Sequence, residues 1–427
     1  MIDSLYAIFK QYPNITTDTR KCVPGSIFIA LKGERFNGNE FAQQALASGA
    51  EYAIIDEKEY SNGDPRIILV DDCLCTLQKL ARYHRRILNK PVIGITGTNG
   101  KTTTKELTAA VLSKKYNVLF TQGNLNNHIG VPLTLLQLRE EHDIAVIEMG
   151  ANHPGEIKIL AEIAEPNFGL ITNVGKAHLE GFGSFEGVIK TKGELYDYIR
   201  KTGGKIFRHN ENSILRDLST GIESVLYGES ERIFVSGRII ENNPFLGFLW
   251  KHAAYTGEIH SKLIGTYNLP NALAAIAIGC FFQVAHKDIS KALTEYEPSN
   301  NRSQLKETCK NHLIIDAYNA NPTSMLAALK NFEAMDVQNK ILILGDMKEL
   351  GETSLSEHQQ IVDFISRLHF NEVLLSGEMF KQTEHEFSIF ETTEELMEYL
   401  QRRAFENSYI LIKGSRGMAL ERCVDYL

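Results

Sequence analysis

Residues suited to phosphate and metal chemistry stand in this chain wherever an apolar run ends. Lys101 and Thr102 come shortly after "PVIGIT", Glu148 ends "DIAVIE", His178 comes after "FGLITNV", Asp316 ends "HLIID" and Asp346 ends "ILILGD". In an open α/β sheet, loops and helix N-termini converge beyond the carboxyl ends of the strands, so residues placed there share a ligand site. The stretch "GITGTNGKTTT" departs from the general phosphate-loop pattern G-x-x-x-x-G-K-[ST], which places a glycine where Ile95 stands. Gly97 and Gly100 still allow a tight turn and a close approach to an anion. The free N–H groups of the following helix supply donors, with Thr98, Asn99 and Thr103 as further loop contacts. Lys101 would reach the terminal phosphates of a nucleotide, and Thr102 would offer a hydroxyl to Mg²⁺.

The other candidates are weaker when read singly. Glu148 is either a metal-holding carboxylate or a solvated strand end. His178, in "NVGKAHLEGFG", is either a ligand or a hydrogen-bonding loop residue. Spacing alone leaves Lys192, in "EGVIKTKGELY", as a solvated helix lysine. Asn124, Asn126 and Asn127 lie in "GNLNNHIGVP", which suits either a polar substrate or simple turn chemistry.

The elements that must position these residues fall into three segments. Residues 1–88 alternate short β-like runs ("SIFIAL", "EYAIIDE", "RIILV") with helical ones and end in a helix from Cys73 to Leu88. Residues 89–296 repeat strand, loop and helix, which predicts a parallel sheet covered on both faces. A β-rich addition ("RIFVSGRII", "LGFLWKHAAYTGEIH") precedes an apolar helix from Leu269 to Phe282. Residues 297–427 restart the alternation and close with a helix, as in a Rossmann-like doubly wound unit. The fold class is therefore α/β in three domains, each expected to bury a core of its own.

Composition narrows the function classes. With 45 Lys plus Arg against 53 Asp plus Glu, a net charge of -8 and no basic run, a nucleic-acid partner is disfavoured. The six cysteines show neither paired metal-ligand spacing nor a disulfide framework, which suits a reducing compartment. "ALAAIAIGCFFQVA" is too short to cross a bilayer, and "MIDSLYAIFKQYPN" does not read as a signal peptide. A cytoplasmic monomer without membrane insertion is the expectation.

Eight ordered stretches carry a resemblance that spans nearly the whole chain: "GITGTNGKTTTKE", "GNLNNHIGVPLTLL", "IEMGANHPGEI", "TNVGKAHLEGFGSFEGV", "GTYNLPNALAA", "DAYNANPTSM", "LGDMKELGE" and "KGSRGM". The sequence resembles the Mur ligase family, the ATP-dependent amino-acid ligases of peptidoglycan synthesis. That family's loop reads G-T-x-G-K-T, and residues 97–102 match it, so the missing glycine at position 95 fits these ligases better than an ordinary phosphate-loop hydrolase or kinase. The N-terminal "TTDTRKCVPGSIFIALKGERFNGNEF" is similar to the segment with which some members hold a UDP-sugar. "DAYNANPTSM" with "LGDMKELGE" is similar to dipeptide-adding members, and the D-N-P-R signature of diaminopimelate-adding members is absent.

The resemblance implies amide-bond formation between UDP-N-acetylmuramoyl-tripeptide and D-alanyl-D-alanine, driven by ATP with Mg²⁺. The alternative is a sister ligase that adds the third amino acid. It implies Lys101, Glu148, His178 and Lys192 as the catalytic set. Thr102, Glu148, His178 and a carbamylated Lys192 become metal ligands, although Thr191 stands where alanine is common. Asn271, Arg302 and Asp316 are implied at the nucleotide. Thr17, Asp18, Thr19, Arg20, Lys32, Gly33 and Phe36, with Asn124, Asn126 and Asn127, are implied at the UDP substrate. Asn319, Asn321, Lys413, Ser415 and Arg416 are implied on the dipeptide side.

Overall fold

Residues 2–299 and 301–427 are described in the computed structural model of the chain. In the first unit, strands Asn14–Thr16, Ser26–Ile29, Ala50–Ile55 and Ile67–Leu69 form a parallel sheet in that order. Ser26–Ile29 is buried along its whole length, as an unalternated apolar run in a parallel sheet must be. The N-terminal stretch, which carries no strong pattern, forms helix Ile2–Gln11 and docks Leu5, Tyr6 and Phe9 onto the core.

The middle unit is one sheet of nine strands. Third from one edge, Val92–Thr96 lies between Phe168–Ile171 and Ile144–Glu148, parallel to both. The loop after Val92–Thr96, the carboxylate of Glu148 and the segment after Ile171 therefore leave the sheet side by side. The β-rich addition continues the same sheet: Val235–Asn242 pairs parallel with Glu223–Gly228, then Phe245–His252 and Tyr255–Ile264 add antiparallel. Tyr255–Ile264 alternates buried and exposed positions, the pattern of an edge strand covered on one face only. The apolar helix runs Leu269–Phe281, with Pro270 in its first turn, where a missing N–H costs nothing.

The third unit has six strands, all parallel except that Gln304–Glu307 runs antiparallel to His312–Asp316. The closing helix expected from the sequence is a 3-10 segment, Leu420–Tyr426, which buries Leu420, Cys423 and Val424 on the neighbouring strand and helix. Among the described residues no helix is long and apolar enough to cross a membrane.

Three separate cores are not what forms. The core of the first unit is continuous with one face of the middle sheet, running from Leu5 and Phe28 through Leu80 to Ile147, Leu195 and Leu215. The bridge is helix Cys73–Leu88, which packs on the helices under the middle sheet and fastens its basic last turn to helix Glu156–Ala164. Arg85, almost fully buried, donates to Ala164 O at 3.0 Å, Glu165 O at 3.1 Å and Asn167 Oδ1 at 2.9 Å, satisfying carbonyls that a helix C-terminus leaves open. Arg82 and Arg86 reach the Glu165 carboxylate from the solvent side.

Removing the buried guanidinium strands those acceptors, so Arg85→Ala should lower unfolding free energy by about 2–4 kcal/mol. Arg82→Ala, at a half-exposed ion pair, should cost under about 1 kcal/mol. Urea unfolding of the two variants beside the parent checks the order; equal losses would refute it.

Candidate functional site

The phosphate-loop candidate forms a tight arch between strand Val92–Thr96 and helix Lys101–Leu112. Gly97 has φ +141, and a Cβ there would stand 2.0 Å from Thr172 Oγ1 and 3.0 Å from Thr172 N. The next strand end pins the arch. Thr98 N donates to Asn173 O at 2.9 Å, Asn99 N to Asn173 Oδ1 at 3.0 Å, and Thr172 Oγ1 to Asn99 O at 2.6 Å. Gly100 has φ +77 and lies against Asn271, whose amide would be 2.6 Å from a Cβ at that position. Asn271 Nδ2 donates to Asn268 Oδ1, and Thr104 Oγ1 donates to Asn271 Oδ1. The first N–H groups of helix Lys101–Leu112 have no intrahelical acceptor and open on the cleft.

That cleft, about 1040 Å³, lies between the middle and C-terminal units. Glu148 is 1 % exposed. Its Oε1 accepts from Asn126 Nδ2 at 2.8 Å and Thr102 Oγ1 at 3.2 Å, while its buried Oε2 has no hydrogen-bond partner. A desolvated carboxylate oxygen left in this way would be stabilised by a cation. Thr102, Glu148 and His178 are thus a donor set that fits a hard divalent ion.

Two lysines share the region. Lys101 folds over its own loop, donating to Gly97 O at 2.8 Å and Thr98 O at 3.0 Å. Burial pushes it down to about 8, opposed by Glu148 and assisted by Arg302. Lys192 is 2 % exposed, its ammonium 3.3 Å from Ala151 O and 5.1 Å above the Phe182 ring. Burial, then the charge of Lys101, pushes Lys192 down to about 7. The reading of Lys192 as a solvated helix lysine fails on this burial. Two residues on, Glu194 accepts from Gly155 N and Lys158 N, both at 2.8 Å, and so caps helix Glu156–Ala164.

The far wall belongs to the third unit. His178, at φ +51, has Nδ1 2.5 Å from Glu349 Oε2, which leaves Nε2 as the nitrogen available to a ligand. Asn99 and Asn321 exchange amide hydrogen bonds across the cleft at 2.8 and 3.4 Å, and Lys176 donates to Glu357 at 2.6 Å. Arg302 stacks its guanidinium 3.7 Å from the Tyr318 ring centroid, with Nε buried and unpartnered. Asp316 accepts from Ser303 N and, at 2.6 Å, from Lys413 Nζ, which is 1 % exposed. Ser415 Oγ donates to Ala320 O and accepts from Lys348 N. Arg416 reaches Tyr318 OH at 3.5 Å, and Asn319 Oδ1 accepts from Ala320 N.

The structure thus brings the loop residues from Thr98 onward, Glu148, His178, Asn271, Arg302, Asp316 and the five dipeptide-side residues to one cleft, with Gly97 and Lys192 just behind its wall. It divides the ten UDP-side residues. Asn124, Asn126 and Asn127 line the cleft, while Thr17, Asp18, Thr19, Arg20, Lys32, Gly33 and Phe36 lie on the first unit outside it. There Asp18 accepts from Arg20 Nε and Nη2 at 2.9 and 2.8 Å. Lys32 pairs with Asp56 and Glu57, and Phe36, 57 % exposed, covers Gly33. Asn127 spends its Oδ1 on the N–H groups of Ile129 and Gly130.

Asp346 is not part of the cleft lining: fully buried, it accepts from Met379 N and Phe380 N and holds a turn of the third unit. Sequence reasoning passed over Asn173, Tyr318 and Glu349. Each stands inside a quoted stretch, Asn173 in "TNVGKAHLEGFGSFEGV", Tyr318 in "DAYNANPTSM" and Glu349 in "LGDMKELGE", so a motif signal was present for all three.

A phosphate arch, a buried acid with an unpartnered oxygen and a second α/β unit closing over both define a nucleotide-using enzyme that assembles its site between domains. Protein-family models identify its kind. "Mur ligase family, catalytic domain" matches residues 11–85, "Mur ligase middle domain" residues 95–279 and "Mur ligase, glutamate ligase domain" residues 301–416. The chain belongs to the Mur ligase family. Among its relatives, the UDP-N-acetylmuramoyl-tripeptide–D-alanyl-D-alanine ligase of Bacillus subtilis is 36% identical, the match covering 97% of this chain and 92% of that one. A crystal structure of MurF from Acinetobacter baumannii superposes with a TM-score of 0.89 at 30% identity, covering 100% of this chain and 98% of that one. MurF ligase from Thermotoga maritima in complex with ADP gives 0.86 at 26% identity, covering 97% of each chain.

Gly97→Ala would force a methyl into Thr172 at a backbone angle that costs L-residues about 1–3 kcal/mol. Nucleotide affinity should therefore fall by about 10- to 100-fold, measured by fluorescent-nucleotide titration. Unchanged affinity would detach this arch from nucleotide binding.

Proposed function

We propose that this chain joins D-alanyl-D-alanine to UDP-N-acetylmuramoyl-tripeptide with cleavage of ATP to ADP and phosphate. The observation that carries the reading is the convergence of the phosphate arch, Glu148 and His178 with Arg302, Asp316 and Lys413 of the third unit on one cleft, in a chain whose relatives bear that activity in their name. The terminal carboxylate of the tripeptide takes the γ-phosphoryl group to give an acyl phosphate. The dipeptide amine then attacks the acyl carbon, and phosphate leaves from a tetrahedral intermediate.

The chain's own residues orient, neutralise and exclude water. The arch N–H groups and Lys101 receive the phosphates, and the Lys101 ammonium exchanges its carbonyl partners for phosphate oxygens, whose charge restores its proton affinity. Asn271 sits where the base or ribose enters, Arg302 and Asp316 hold the nucleotide from the third unit, and Asn319, Asn321, Lys413, Ser415 and Arg416 face the incoming dipeptide. On the first unit, Thr17, Asp18, Thr19, Arg20, Lys32, Gly33 and Phe36 hold the UDP end, while Asn124, Asn126 and Asn127 guide the peptide toward the cleft. Contacts such as Asn99–Asn321 and Lys176–Glu357 hold the closed arrangement, which keeps water from the acyl phosphate.

Thr102, Glu148, His178 and a carbamate on Lys192 would hold Mg²⁺, which would supply neutralisation of phosphate charge and polarisation of the transferred group. With its amine pushed down to about 7, Lys192 is substantially uncharged near neutral pH and able to add to CO₂. The N–C bond forms as one amine proton leaves, and an anionic oxygen donor replaces an ammonium that would repel the ion. The chain is proposed to act as a cytoplasmic monomer, divided at 88/89 and 296/297.

The direct test incubates the chain with ATP, Mg²⁺, UDP-N-acetylmuramoyl-tripeptide and D-alanyl-D-alanine. ADP release should depend on the dipeptide and give a product of the pentapeptide mass. Product formed only when a single amino acid replaces the dipeptide and UDP-N-acetylmuramoyl-dipeptide replaces the tripeptide would move the assignment to the sister ligase. Phosphate release without any acceptor would move it to a hydrolase.

A further inference from the structure

On the side of the middle unit away from the nucleotide cleft, three elements meet: the end of strand Phe245–His252, next to the edge strand, the end of the apolar helix Leu269–Phe281 and the start of helix His286–Glu295. Each contributes one metal-ligating side chain. His252, Cys280 and His286 offer ligand atoms that all lie within 4.8 Å of one another, and His252 Nδ1 is 2.9 Å from His286 Nε2. None of the three lines the ligase cleft. Asn271 and Cys280 stand near opposite ends of one helix, about 14 Å apart along its axis.

We propose that His252, Cys280 and His286 bind one thiophilic, borderline-soft divalent ion of the Zn²⁺ class. The donor set decides the class: one thiolate and two imidazoles suit Zn²⁺ and its neighbours and do not suit Mg²⁺ or Ca²⁺, which take oxygen. The spacing is close to what the ion requires. Zn–N of about 2.0–2.1 Å and Zn–S of about 2.3 Å in a tetrahedron put the ligand atoms about 3.3–3.6 Å apart, so small side-chain rotations complete the set. Three protein ligands leave the fourth position to water, which the partial exposure of both histidines admits.

The surroundings favour the ion-binding protonation state of His252 and set a cost on the thiol. Burial and the neighbouring His286 hold His252 below the usual histidine range, so it is neutral, as a ligand must be. The rings of Phe234, Trp250 and Tyr255 wall the site: His286 stacks on Tyr255 with centroids 4.4 Å apart, and Phe234 meets His252 edge-on at 4.7 Å. Burial pushes the Cys280 thiol up to about 12, so the ion displaces a proton to form the metal–sulfur bond, and affinity rises with pH. The bound ion ties the antiparallel edge of the sheet to the two helices that follow it, one of which carries Asn271 to the nucleotide.

The test uses the full chain stripped with chelator, without nucleotide. Titration with Co²⁺ and Zn²⁺ against a chromophoric competitor should give one site, with a thiolate-to-cobalt charge-transfer band and about one proton released per ion. Zn²⁺ should raise the melting temperature. Cys280→Ala and His286→Asn, each read against its own melting temperature in chelator, should both lose the band and the Zn²⁺ shift, while Cys309→Ser, at an exposed cysteine elsewhere, should keep them. Should a variant fail to fold, the cobalt spectrum of the parent alone decides. Absence of a thiolate band in the parent, or a band and stabilisation that survive both ligand variants, would overturn the site.

Discussion

Placing like charges where water is scarce is the constraint on which the rest of this architecture depends. Lys192 is buried and Lys101 partly buried beside one cleft, and the chief buried countercharge facing Lys101 is Glu148, itself desolvated with one oxygen unpartnered. Two ammonium groups and one carboxylate are not a stable dry cluster. The protein lowers the cost by folding Lys101 onto its own loop carbonyls and by pushing Lys192 toward its neutral form. On the proposed mechanism, phosphates and a metal ion would complete the cluster, so that the site holds its electrostatics ready for the moment of reaction.

The fold serves that cluster in layers. Strand Val92–Thr96 lies between the strands that deliver Glu148 and Thr172, so arch, acid and clamp are fixed by adjacent backbone ladders. The first unit is welded to the middle one through a shared core and the buried Arg85, which makes the pair a single platform. The third unit has two cores, one of which takes in Ile264 and Phe245 from the end of the middle sheet, and around the cleft it meets the platform through polar contacts, among them His178–Glu349, Lys176–Glu357 and Asn99–Asn321. Such contacts are weak and individually reversible, which is what a unit that must open for product release requires.

What the sequence disclosed follows from how local each signal is. The arch was legible because Gly97 and Gly100 answer to backbone angles and close neighbours within a short stretch. Glu148 and His178 were singled out by their positions after apolar runs, although position alone left each open between a ligand and a strand-end or loop residue. Lys192 was not, because its burial is made by Ala151 and Phe182, which approach from other elements. The merged core escaped for the same reason: nothing in "RYHRR" says that Arg85 turns inward while Arg82 and Arg86 stay at the surface. Strand periods revealed the β-rich addition but not that it extends the main sheet, since pairing partners are a long-range property. Asp346 shows the opposite error, a strand-end acid spent on the N–H groups of a turn.

The charge account rests on Lys192 giving up its proton and taking up CO₂. Carbon-13 NMR of the chain equilibrated with ¹³C-bicarbonate, Mg²⁺ and ADP reads this directly. The account predicts one carbamate carbon signal that disappears in Lys192→Ala. An active enzyme with no such signal, or one whose signal persists in that variant, would contradict it.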